Sequence, residues 1–535
     1  MKKIAIVGTG PTGIYTFFSL INHGHPLAIT LFEQGNRAGT GMPYNREDNA
    51  RIMLANIASI EIPPLMENYL DWLNAQDPQW LARYGVDKHT LHERQFLPRI
   101  LLGEYFRHQF LALVSIARQA GFQVDLKEAC QVTDVVPAPD GVTLWTENHP
   151  YPGLFDFVAI ATGHVWPEKS AATRAYYPSP WSGLMDARIP PCAVGILGTS
   201  LSGIDAAMAV AIQHGTFHLQ NNEVTFRLND TSRELQITLM SRSGILPEAD
   251  FYCPLPYLPL QIVTPETLSQ EIARGSQGLL DRVFRLIVQE ITLADPDWSA
   301  SISLGRLDAD TFPDAWFYQR QQRDPFHWAQ ENLNEVEQHK RQRYTVPWRY
   351  AVLRLHEAVQ EVVPWLDEHD TDRFNHGLGR VFIDNYAAIP PQSIRRLLAL
   401  HAAGILTILA LGNAYQRTTT GHQTMITTAQ QTHQFDVFID ARGQKALQTA
   451  DLPFPALRDA LLLAGETIPP VSQNYTLLAP PEARERVAFG ALPWLMHDRP
   501  FIQGITACAD IGAAIAAALS CPRVQPRRRL PDTEY

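Results

Sequence analysis

The sequence predicts an α/β fold of two domains built on parallel sheets, the second interrupted by a largely helical insertion. Three observations carry that prediction. An apolar strand runs into a glycine turn at Gly8 to Gly13, and the same plan returns at Gly198 to Gly203. An apolar strand ending in Ala161-Thr162-Gly163 is echoed by one ending in Ala441-Arg442-Gly443. Residues 265–379 are dominated by helical spacing of apolar residues. A plan that recurs within one chain points to duplicated units.

The first copy is the more complete. Lys3-Ile4-Ala5-Ile6-Val7 is a short, β-branched run that reads as a buried parallel strand. It enters Gly8-Thr9-Gly10-Pro11-Thr12-Gly13, after which Ile14, Phe17, Phe18 and Ile21 share one face of a helix ended by His23-Gly24-His25-Pro26. A second strand, Leu27 to Phe32, delivers Glu33. Gly8 allows the tight turn, Gly10 lets the backbone approach a pyrophosphate, and Gly13 lets the helix pack on the sheet. Pro11 and Thr12 stand where the helix N-terminus offers free N–H groups to phosphate. Glu33, twenty residues beyond Gly13, can accept both hydroxyls of an adenosine ribose. Strand, turn, helix and acid together mark a Rossmann-like dinucleotide-binding unit.

The loop Gly35 to Tyr44 is rich in small residues, Gly41 among them, as suits a chain passing close to a bulky ligand. Arg37 within it either faces a phosphate or is a surface charge. Met53 to Asn56 reads as a short return toward the core, Tyr69 to Ala82 as helical and tryptophan-rich, and Pro98 as the opening of a further helix. A strand is expected at Phe122 to Glu128, and a hairpin across Pro139-Asp140-Gly141. Phe155 to Ile160 is a buried strand whose small-residue end, with Thr162 and Gly163, admits a dinucleotide. His164 reads more readily as a structural hydrogen-bonder than as a catalytic group.

Pro190-Pro191 reads as a linker, and the plan restarts. Ala193 to Leu197 is a strand, Gly198 to Gly203 the turn, and Ile204 to Ile212 the helix. Ser200 replaces the middle glycine, and its Cβ limits how closely a pyrophosphate can come. A packing turn without nucleotide stays open here. A polar segment, His218 to Glu234, delays the next strand, Ile237 to Met240. That strand ends in Arg242 rather than an acid, which favours a 2′-phosphate and hence NADP over NAD; a plain surface arginine is the alternative. Strands are expected again at Ile405 to Leu411, His422 to Thr428 and Val487 to Gly490, and an Ala-rich helix at Thr506 to Leu519 with Asp510 in its first turn. The expected domains are 1–190, returning at 451–535, for the first nucleotide; 191–264 with 380–450 for the second; and 265–379 for the helical insertion.

Composition excludes several classes. A net charge of −11 argues against a nucleic-acid binder, and Arg527-Arg528-Arg529, followed by Asp532 and Glu534, reads as a solvated tail. The five cysteines, Cys130, Cys192, Cys253, Cys508 and Cys521, form no C-x-x-C pair, so neither a metal site nor a dithiol centre is signalled. Sparse cysteines fit a reducing cytoplasm. Four apolar residues before Gly8 are too few for a signal peptide, and Ile505 to Cys521 falls short of a membrane span.

With both turns in view, the chain resembles the bacterial FAD/NAD(P)-binding proteins of the YdhS-like group. The likeness rests on Gly8 to Gly13, Arg37 to Tyr44, Leu54-Ala55-Asn56, Pro98-Arg99, Gly103-Glu104-Tyr105 and Gly198 to Gly203, and extends over nearly the whole chain. It implies FAD at Gly8, Gly10, Gly13, Glu33 and Gly163, and nicotinamide coenzyme at Gly198, Ser200, Gly203 and Arg242. The group is similar to class B and N-hydroxylating flavin monooxygenases, whose fingerprints are incomplete here beyond Ala161 to His164 and Trp166-Pro167. Three functions follow: an NAD(P)H-dependent flavin oxidoreductase that oxygenates a small molecule, a reductase without oxygenation, and a flavin-binding module without turnover. The cofactor would supply the chemistry, which explains why no catalytic acid–base pair stands out.

Overall fold

A computed structural model describes residues 1–22, 25–220 and 223–520. Gly24 of the expected helix stop, Cys521, and the tail from Arg527 to Glu534 lie outside the described residues, as does His23.

The described chain forms two units. One comprises Met1–Arg51, Ile57–Val165 and the described residues from Gln444 onward; the other comprises Ile52–Asn56 and Trp166–Gly443. The long stretch of the second unit begins at Trp166, ahead of Pro190-Pro191.

The first unit is built on a five-stranded parallel sheet in the order Val487–Phe489, Phe157–Ile160, Lys3–Val7, Ala28–Phe32, Gln123–Lys127. Ile4, Ala5 and Ile6 are fully buried, which is why the central strand carries no polar alternation. The register sets Val7 against Phe32 on one side and Ile160 on the other. Gly8, Glu33 and Ala161 therefore leave the same edge of the sheet, at the carboxyl ends of its strands. Helix Pro11–Asn22 packs on helix Ile505–Ser520 so closely that a Cβ on Gly512 would fall 2.6 Å from the Thr16 backbone nitrogen. A three-stranded antiparallel sheet, Val132–Ala138, Gly141–Thr146 and His149–Pro150, completes the unit's strands.

The second unit repeats the design with Leu406–Ala410, Gln236–Ser241, Ala193–Leu197, Val437–Asp440 and Tyr176–Tyr177, in that order and all parallel. Its helical region runs from Pro265–Ala273 to Leu378–Tyr386. Pro265, Pro296, Pro325 and Pro347 each open a helix there, where the missing N–H costs nothing and φ is already set. Thr264, Asp295 and Asp324 cap three of them. Two parallel-sheet α/β cores with a helical region are the architecture the sequence predicts.

The stretch from Tyr69 to Ala82 is helical as expected, in two helices, Tyr69–Asn74 and Pro78–Ala82, because Asp77 caps a fresh start at Pro78. Two local readings are corrected. The polar segment after the second turn is a hairpin, Gly215–Gln220 against Glu223–Leu228, with Phe217 opposite Phe226. Asp510 lies beyond the first turn of its helix, which begins at Ile505. Among the described residues no helix is long and apolar enough to cross a membrane.

Candidate functional site

The first glycine turn is a backbone cradle that side chains would fill. Gly8 has φ +100°, and a Cβ there would sit 2.7 Å from the Ala161 carbonyl oxygen. A Cβ on Gly13 would sit 2.0 Å from the Gly8 carbonyl oxygen. Gly10 faces the loop: a Cβ on it would be 3.4 Å from the Gly41 Cα, while one on Gly41, at φ +81°, would meet the Gly10 Cα and Pro11 Cδ at 3.0 Å. Turn and loop thus lie backbone against backbone, with the start of helix Pro11–Asn22, and so Thr12, directly behind them.

Glu33 is aimed at this turn. Its Oε2 accepts from the Thr9 hydroxyl at 2.6 Å and the Thr9 N–H at 3.3 Å, and its Oε1 accepts from the Gly35 N–H at 2.8 Å. The Thr9 hydroxyl in turn accepts from the Gly39 N–H at 3.0 Å. Thr9 therefore ties acid, turn and loop together, a role the motif gives no sign of. Two carboxylate oxygens offer about four acceptor sites, and the three bonds from Thr9 and Gly35 leave about one for a ribose hydroxyl. Thr40 Oγ1 beside Gly41 is buried with no partner, an orphan that a ligand at this cradle could satisfy.

Arg37 does not belong to the set as a free cation. It pairs with Glu104 at 2.6 Å, and Arg46 holds the same carboxylate at 3.0 Å. Thr162 and Gly163 follow strand Phe157–Ile160 at the same edge, and a Cβ on Gly163 would meet no atom of the chain within 4 Å. The protein's own packing does not demand glycine there. Burial lowers the His164 pKa, with the Gln444 side chain opposing it. The Val165 N–H donates to Gln444 Oε1 at 3.0 Å beside it. Burial raises the Asp510 pKa against the pull of Arg499.

The second turn reproduces the first. Gly198 has φ +138°, and a Cβ there would sit 2.8 Å from the Ala441 carbonyl oxygen; one on Gly203 would sit 2.2 Å from the Gly198 carbonyl oxygen. Ser200 is exposed with φ −101°, an ordinary conformation, and its side chain makes no cap. Arg242 leaves strand Gln236–Ser241 exposed, its carbonyl accepting from the Gly412 N–H at 3.0 Å.

Backbone clearance, an oriented acid and an orphaned hydroxyl fit an adenine dinucleotide at the first turn. The second offers the same clearance with a guanidinium in place of the acid.

Comparisons with known proteins agree. Residues 5–165 match the family model described as FAD-NAD(P)-binding, and residues 264–386 match that of the YdhS-like middle domain. The protein YdhS of Escherichia coli (strain K12) is 61% identical over 531 residues, which cover 99% of each chain. Among solved structures, an ornithine N-hydroxylase of Kutzneria sp. 744, holding reduced FAD, NADP+ and L-ornithine, matches with TM-score 0.50 at 13% identity, covering 97% of this chain and 99% of that one. That likeness is one of fold.

Proposed function

The chain belongs to the YdhS family of FAD/NAD(P)-binding proteins, and from that premise we propose that it is an FAD- and NAD(P)H-dependent oxidoreductase acting on a small molecule. The observation that carries the reading is the duplicated cradle: two turns with the same two sterically closed glycine positions, one facing an acid and one followed by an arginine. FAD belongs at the first and the nicotinamide coenzyme at the second. Bound FAD would supply the redox chemistry, taking a hydride from nicotinamide and passing electrons to an acceptor.

The residues of the chain bind and orient. Glu33, fixed by Thr9 and Gly35, holds the adenosine ribose. The N-terminus of helix Pro11–Asn22, at Thr12 and Gly13, favours the pyrophosphate by its free N–H groups and dipole. Gly41, Thr162 and Gly163 leave room for the flavin half. At the second turn Gly198, Ser200 and Gly203 would hold the pyrophosphate, and Arg242 would favour NADPH over NADH.

The similar fold of an ornithine N-hydroxylase supports oxygenation of an amine-like substrate as the finer reading. Ser200 favours a second one, a flavin module without turnover. The experiment mixes the FAD-loaded chain with NADPH or NADH without oxygen, then admits air. NADPH is expected to bleach the flavin faster than NADH. A lag before the oxidised spectrum returns supports oxygenation, and immediate return supports a plain reductase. Failure of both coenzymes to bleach it would contradict the enzyme reading in favour of the module.

A further inference from the structure

Beside the first glycine turn lies a row of touching aromatic rings that the nucleotide reading leaves unused. Its inner end is Tyr44, whose N–H donates to the Gly41 carbonyl at 3.2 Å, in the loop that packs on Gly10. Helix Arg99–Gln119 carries Phe106, whose ring centre is 5.7 Å from that of Tyr44, and Tyr105, 5.5 Å from Phe106. Trp72, on helix Tyr69–Asn74, follows at 5.7 Å from Tyr105, and Trp80 at 5.8 Å from Trp72. Edge and tilted contacts at such spacing are what any aromatic core favours. The polar atoms distinguish this one.

Trp72 has a base on its indole nitrogen. The residue is 3% exposed, and its Nε1–H donates to His108 Nδ1 at 3.1 Å. His108 is exposed, on the same helix as Tyr105. The bond sets the neutral imidazole with its own proton on Nε2, so Nδ1 is a proton acceptor in touch with solvent. Two tyrosines packed against Trp72 lack this. The Tyr69 hydroxyl is buried with no partner. The Tyr105 hydroxyl donates to the Glu67 carbonyl at 2.7 Å, an oxygen that cannot keep a proton. Packing asks only that the indole N–H find an acceptor; a base that reaches water is more than packing requires.

Resting on the FAD reading above and going beyond it, we propose that these rings conduct one-electron oxidising equivalents away from the first cradle, and that they come to rest on the Trp72–His108 pair. Electron transfer weakens steeply with distance, so rings in contact make a path. Trp72 gives one electron, by way of Tyr105, Phe106 and Tyr44, to an oxygen-centred radical at the cradle, which is reduced to its anion. The Nε1 proton of Trp72 passes to His108 Nδ1, leaving a neutral indolyl radical and an imidazolium. A thiolate from solution then returns the electron and His108 returns the proton. Two thiyl radicals so formed pair as a disulfide.

The test is blue light on the FAD-loaded full chain, since light makes FAD a one-electron oxidant. Radicals are read by transient absorption and electron paramagnetic resonance, independently of turnover. The wild type is expected to form a neutral indolyl radical, and Trp72→Phe to lose it. His108→Gln is an exposed change that keeps an acceptor without a base. It should cut the yield of the neutral radical at least about tenfold, and it carries the test where Trp72→Phe does not fold. An undiminished neutral radical in either variant overturns the proposal, as does a wild type that holds FAD and gives no indolyl radical; both results leave the FAD reading standing. A wild type that takes up no FAD overturns both.

Discussion

Gly13→Ala is expected to lower FAD affinity at least about 100-fold, about 2.7 kcal/mol at the usual conversion, and to remove the rise in melting temperature that FAD gives the wild type. The cause is local. The new Cβ would fall 2.0 Å from the Gly8 carbonyl oxygen, a separation no real contact reaches, and the obstacle is backbone. Either the helix start lifts from the strand end or the turn opens, and both displace the N–H groups meant for the pyrophosphate. Forced overpacking of this kind costs roughly 1–3 kcal/mol or more in folding, so melting without FAD is measured alongside. Gly163→Ala is the control: its Cβ meets nothing within 4 Å, so stability should stay within about 0.5 kcal/mol of wild type. Weaker FAD binding in that variant would then report the ligand itself.

Glu248→Ala is expected to destabilise the second unit by about 3–5 kcal/mol in urea unfolding, the usual consequence of leaving a buried charge without its partner. Glu248 is buried, pairs with Arg349, and accepts from Trp328 Nε1 at 3.2 Å. Around it the same loop is held by Arg320 to the Leu246 carbonyl at 2.7 Å, by Asn332 to the Ala249 N–H at 2.8 Å, and by Lys340 to Asp250 at 2.8 Å. This is the segment that follows Arg242, so the helical region grips the nucleotide half through it. Burial opposes ionisation of Glu248, but the Arg349 and Arg320 charges outweigh it and hold its pKa below the ordinary carboxylate value. A depressed pKa stabilises the fold fully above the unfolded value, about 4.3, and that contribution disappears as pH falls through the lower folded value. The difference between wild type and Glu248→Ala should therefore shrink in acid.

What the sequence made legible was backbone constraint. Gly8 and Gly13 can be read because their positions admit no other residue, and the turns, their strands and their helices follow from that. The hairpin of Gly215–Gln220 with Glu223–Leu228 escaped because Thr216, His218, Gln220, Glu223, Thr225 and Arg227 make the stretch read as polar, although Phe217 faces Phe226 and Leu219 faces Val224. Thr9 escaped because a threonine in a turn has no distinguishing pattern; its role depends on Glu33 and Gly39 arriving from elsewhere. The pairing of Arg37 with Glu104 likewise joins residues far apart in the chain. Spacing along a chain reports local geometry, and these contacts are made by the fold.

The most direct test of the central claim, that the amino-terminal βαβ unit binds the ADP half of FAD, is a titration of the purified chain into FAD followed by flavin fluorescence. The expected result is saturable quenching at one FAD per chain, reversed by competing ADP and absent in Gly13→Ala. Fluorescence unchanged by the wild-type chain, or quenching that ADP does not compete with, would contradict it.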